Sequence, residues 1–60
     1  MKANQEIRER ARIKDVRLWE LADKMGITDS YLSRRLRVEF TPEEQEQAMR
    51  YIDEIAAERG

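Results

Sequence analysis

Cysteine and histidine are both absent from the 60 residues. Without cysteine there is no disulfide, and without either residue no ordinary zinc site, so packing must hold the chain together. The same absences remove the usual general base and the usual thiol nucleophile. So short a chain also has no room for a sizeable pocket, and catalysis is not expected. Glycine and proline are scarce as well, limited to Gly26, Pro42 and the terminal Gly60. A sheet protein would need more turn residues, which leaves an all-α fold. No apolar run approaches the roughly 18 residues of a membrane span, and the charged N-terminus shows no signal-peptide pattern. The expectation is one soluble, cytoplasmic domain over 1–60, with no membrane partner, cofactor, metal or small-molecule ligand.

What the chain has in quantity is charge, 42% of all residues, with a net value of only −1. Its distribution is uneven. Residues 1–38 carry ten Lys/Arg against six Asp/Glu, a net +4, whereas 39–60 carry two against seven, a net −5. Such asymmetry suggests a basic working face and an acidic region kept away from phosphate. The plainer reading is a solvated acidic helix that follows a mixed-charge one.

Spacing predicts four helices. Asn4 is placed to cap a first helix over about 5–13, with Ile7 and Ala11 on one face and Glu6–Arg10 as a favourable i,i+4 pair. Asp15 is the candidate cap of a second helix over about 17–25. There Leu18, Leu21, Ala22 and Met25 form an apolar stripe and Glu20–Lys24 a solvent-side pair. Gly26 supplies the left-handed residue that ends it. Thr28 caps a third helix over about 29–37, where Asp29 suits the helix dipole and Leu32 and Leu36 face inward. In Phe40-Thr41-Pro42-Glu43-Glu44, Thr41 is a cap, Pro42 the first helical residue and Glu44 the far half of a capping box. This fourth helix, about 42–59, turns Ala48, Met49, Ile52, Ile55 and Ala56 inward. The expected architecture is a compact four-helix bundle containing a helix-turn-helix over about 17–37.

Ala22, Gly26, Ile27 and Leu32 stand at the spacing of a helix-turn-helix: a small residue where the helices cross, a glycine in the turn, and two apolar plugs between. Over about 16–37 the chain resembles the phage repressor and Cro-like family of DNA-binding proteins. That resemblance implies sequence-specific binding of double-stranded DNA, with helix 29–37 in the major groove, and a role in transcriptional regulation at the nucleoid. Base contacts would come from Thr28, Asp29, Ser30, Ser33, Arg34 and Arg37. Lys14, Arg17, Tyr31 and Arg35 are candidates for phosphate contacts. An arginine such as Arg34 can grip guanine O6 and N7 in a fork, and Asp29 can accept from a cytosine amine. Two positions depart from the family pattern. Leu18 stands where a phosphate-touching glutamine is common, so Arg17 or the helix N-terminus must replace it. Arg35 stands where an apolar residue is usual, leaving Leu36 as anchor.

Structural readings stand beside these. Asp29 also serves as a first-turn acid, Ser30 as a local capping residue, Tyr31 as a packing residue, and the arginines as solvated side chains. Trp19 falls off the inward stripe and is expected to cover the junction with the first or fourth helix; a protein contact or stacking on a sugar are the alternatives. Because one recognition helix covers few base pairs, a homodimer on a pseudo-palindrome is expected. The acidic fourth helix with an exposed Tyr51 is its candidate surface. The rival is a protein-interaction module of the same fold that uses Trp19, Tyr51 and the acidic helix.

Overall fold

The computed structural model describes residues 3–59. Its helices are α1 (Gln5–Ile13), α2 (Leu18–Met25), α3 (Asp29–Arg35) and α4 (Pro42–Glu58), with no strand among the described residues. This is the all-α four-helix bundle that the spacing predicts. α4 lies against both α1 and α2, and α2 packs on α3 to form the helix-turn-helix unit. Among the described residues no helix is long and apolar enough to cross a membrane.

The first two helices end by the same device. At the end of α2, Gly26 takes φ 77°. Its N–H reaches the Asp23 carbonyl at 3.1 Å and the Ile27 N–H reaches Ala22 at 3.0 Å, the paired bonds of a Schellman ending. At the end of α1 the same bonds run from Asp15 to Arg12 (3.1 Å) and from Val16 to Ala11 (2.7 Å), with Asp15 at φ 58°. Asp15 therefore closes α1 and does not cap α2, as its place in the sequence suggests. Aspartate is one of the few non-glycine residues that tolerate this region. The start of α2 is held by Glu20, whose carboxylate accepts the Arg17 N–H at 2.9 Å. A Cβ on Gly26 would meet nothing within 4 Å, so the glycine serves the backbone angle and not a close approach.

The later starts follow expectation. Thr28 accepts the Tyr31 N–H at 3.1 Å, and Thr41 and Glu44 exchange bonds of 3.2 and 3.0 Å in a full capping box, with Pro42 at the first helical position. α3 stops two residues short of its expected end, and Leu36 to Val38 continue as turns.

The core unites Ile7 and Ala11 of α1, Leu21 and Ala22 of α2, Leu32 and Leu36, and Ala48, Ile52 and Ile55 of α4. Leu18, Met25, Ile27, Met49 and Ala56 pack half-buried around it. Val16 and Phe40, both in connections, are buried as well. Each such side chain contributes about 1.5–3 kcal/mol at full burial, a thin total for a chain this short.

Among the described residues Asn4 is the one buried polar residue, 2% exposed. It precedes α1 in a left-handed conformation, and its side chain makes no bond to that helix, contrary to the expected cap. It turns instead toward the connection from α3 to α4. Its Nδ2 donates to the carbonyls of Leu36 (2.9 Å) and Val38 (2.8 Å), and its Oδ1 accepts the Phe40 N–H at 2.7 Å. Its own N–H donates to Glu39 Oε1 at 3.0 Å. One amide thus satisfies three backbone groups that neither helix can reach.

Asn4→Ala should cost about 3 kcal/mol, because it strands buried partners, and the loss is read from the midpoint of urea unfolding. An effect below about 0.5 kcal/mol would sink the assignment. At the α1 ending, Asp15→Gly should change stability by less than about 0.5 kcal/mol, whereas Asp15→Val should cost about 1–2 kcal/mol. Equal losses for both would show that the left-handed angle does not decide this position.

Candidate nucleic-acid interface

The outward surface of the helix-turn-helix is built from α3. Thr28 caps it, and Asp29, Ser30, Ser33 and Arg34 stand exposed along it. Ser30, Ser33, Arg34 and Arg37 follow helical spacing, so the four share one side, although Arg37 lies in the turn after the helix, its N–H on the Arg34 carbonyl at 3.2 Å. Leu32 and Leu36 on the opposite side are almost wholly buried and fix the rotation of α3. Four of the six base-contact candidates therefore fall on one exposed strip, and Thr28 and Asp29 are exposed at the start of α3.

The phosphate candidates divide. Arg17 is exposed at the start of α2. Tyr31 is 45% exposed and lines a groove of ≈ 290 Å³ with Arg34 and Val38. Lys14 is exposed but lies 3.8 Å from Asp53 of α4. Arg35 is half-buried: its guanidinium sits 5.4 Å from the centre of the Phe40 ring and 2.5 Å from the Glu44 carboxylate. Arg35 thus fills the place of an apolar anchor by stacking its cation on an aromatic ring and pairing it. It braces α3 against α4.

The acids of α4 explain which cations are left. Asp53 takes Arg10 at 3.3 Å as well as Lys14, and Glu58 and Glu54 take Lys24 at 2.8 and 3.7 Å. Arg59 crosses to Glu20 and to the Asp15 carbonyl, and Gln45 donates to Glu6 at 2.5 Å. The expected pairs Glu6–Arg10 and Glu20–Lys24 do not form, since each partner finds a better-placed one on another helix. Among the described residues, Arg8, Arg17, Arg34 and Arg37 have no ion pair. Arg8 is half-buried on α1, and its Nε has no hydrogen-bond partner. The three exposed ones all belong to the helix-turn-helix and the turn that follows it.

Two further placements correct the sequence-based picture. Trp19 borders the junction of α2 with the end of α4 but does not cover it, and is 56% exposed. Tyr51 is not an exposed contact, but packs half-buried against the core with its hydroxyl on Gln47 at 3.3 Å. Val38, 71% exposed beside Tyr31 and Arg34, was not anticipated. An apolar residue after Arg37 carries no sequence signal, because its exposure follows from α3 ending early.

No protein-family model matches the chain, and neither curated proteins nor solved structures give a significant match.

Two groups titrate away from their ordinary range. The Thr41 N–H holds the Glu44 carboxyl below the usual glutamate value; burial opposes it, and the Arg35 guanidinium adds a lesser lowering. The Glu58 hydrogen bond, first among several causes, raises Lys24. A depressed carboxyl contributes stability above its unfolded pKa and loses it as pH falls through the folded one. Stability should therefore drop on acidification from about pH 5 to about pH 3, and Glu44→Gln should flatten that drop. Parallel urea midpoints for both proteins across this range would refute the assignment. Lys24 works in the opposite sense, its contribution fading only as pH rises above the ordinary lysine range.

Proposed function

We propose that this protein binds double-stranded DNA, with α3 in the major groove, and acts as a small transcriptional regulator. The observation that carries this reading is the sorting of cations. The acidic α4 engages Arg10, Lys14, Lys24 and Arg35, and the exposed arginines left unpaired among the described residues, Arg17, Arg34 and Arg37, all lie in or just after the helix-turn-helix. Unpaired guanidinium groups beside serines are the chemistry that grips phosphates and base edges.

In this arrangement Ser30, Ser33 and Arg34 face the bases, with Thr28 and Asp29 at the leading end and Arg37 at the trailing end. Arg34 prefers guanine through its fork of donors. Arg17 takes the phosphate contact at the start of α2 that Leu18 is unable to make. Tyr31 flanks the strip and donates its hydroxyl to the backbone. Arg35 and Lys14 contribute through the fold and the local potential. Two copies on a pseudo-palindrome would place their reading helices about one DNA turn, 34 Å, apart.

A duplex-binding titration tests the reading. Affinity should be measurable at low ionic strength and fall steeply as salt rises; no binding to any duplex at low salt would sink it. Arg34→Ala should cost about 1–3 kcal/mol and relax the sequence preference recovered from a randomised duplex library, whereas Arg17→Ala should weaken all sequences alike and reduce the salt slope by about one. An unchanged preference in Arg34→Ala would remove Arg34 as a base reader.

A further inference from the structure

Trp19 remains unexplained by the fold and by DNA binding. It is the only tryptophan of the chain and over half exposed, on the second residue of α2. Asp23 lies one turn further along the same side of the helix, exposed and without an ion pair among the described residues. The indole and Asp23 line a groove of ≈ 180 Å³ between α2 and the end of α4, floored by Ile55. Among the described residues one cation lines this groove, Lys24, and it is committed to Glu58 and Glu54, while the lining Glu20 is held by Arg59. Of the three carboxylates that line it, Glu20 and Glu58 are engaged, and the unengaged charge one turn from the indole, Asp23, is negative.

That sign decides between the occupants of an exposed indole. A sugar-phosphate backbone would meet carboxylates and be repelled. No residue of α3 lines this groove, so it is separate from the proposed reading strip. A cation is what it suits. The face of an indole is the best aromatic surface for a guanidinium, and a carboxylate one turn away can hold the same group by charge-assisted hydrogen bonds. We propose that the Trp19–Asp23 groove docks an arginine-bearing segment of a protein partner, with the guanidinium over the indole, its N–H groups on Asp23, and a neighbouring apolar side chain toward Ile55. The site does not depend on the DNA reading.

The single indole N–H gives one nuclear magnetic resonance signal that reports this groove directly. The probe is a blocked hexapeptide of leucine, arginine and alanine repeated twice, with glutamate in place of arginine as control. The arginine peptide should shift the Trp19 signal saturably and the glutamate peptide should not. Asp23→Asn, an exposed and conservative change, should weaken the arginine peptide about fivefold or more while leaving duplex affinity within about twofold. Should Trp19→Ala fold poorly, Asp23→Asn still tests the site. A signal indifferent to the arginine peptide, or equally moved by the glutamate one, overturns the proposal. So does a shift that depends on protein concentration alone, which would make a second copy the occupant. A shift produced by duplex, with lost DNA affinity in Trp19→Ala, would make nucleic acid the occupant. Failure of duplex binding alone would leave the peptide result standing.

Discussion

The arrangement of this bundle hangs on one buried amide. Asn4 ties the start of α1 to the connection between α3 and α4 through bonds to Leu36, Val38 and Phe40. That connection has no helix or strand of its own to satisfy its backbone. Burying it without a partner would cost about 1–3 kcal/mol for each polar group left open, a large share of the stability open to so short a chain. With the amide in place, Phe40 enters the core and gives Arg35 a ring to lie over, and Arg35 in turn meets Glu44. The proposed reading helix is thereby fixed at its far end by a chain of contacts that begins at the opposite end of the sequence.

α4 plays a second part beyond its apolar stripe. Exposed ion pairs of the kind it makes contribute only about 0–1 kcal/mol each, so their number is a weak argument for stability. Their effect on the surface is larger. By holding Arg10, Lys14, Lys24 and Arg35, the acids of α4 withdraw positive charge from most of the molecule. Among the described residues, the exposed arginines left without an ion pair are Arg17, Arg34 and Arg37. A net charge of −1 is thus compatible with a locally basic strip, since field strength near a surface follows local and not total charge.

The parts legible in the sequence are those governed by neighbours along the chain. Gly26, Thr28 and the Thr41–Pro42–Glu44 signal each act within a turn of their own position, and each stands where expected. The apolar stripes of α2 and α4 were equally readable, because helical spacing alone selects the inward side. Asn4 and Asp15 misled for an instructive reason. Both have the side chain of a helix cap, yet both sit in the left-handed region, where asparagine and aspartate are also at home. Local chemistry admits either use. Arg35 was similarly ambiguous, since nothing near it along the chain shows that its guanidinium lies over the Phe40 ring and pairs with Glu44.

By itself the sequence determined that the chain is helical, where its helices begin and turn, and which residues of α3 face outward. Those features follow from backbone propensity, capping and spacing, all of which act over a few residues. Only the tertiary structure decided which charges are free and which are engaged. Arg10, Lys24 and Arg35 lie from 9 to 43 positions away from the acids that hold them. A bond across that separation depends on how the helices pack, not on any pattern along the chain. The same packing left Trp19 in solvent and buried much of Tyr51, because the rotation of a helix about its axis is set by everything it touches.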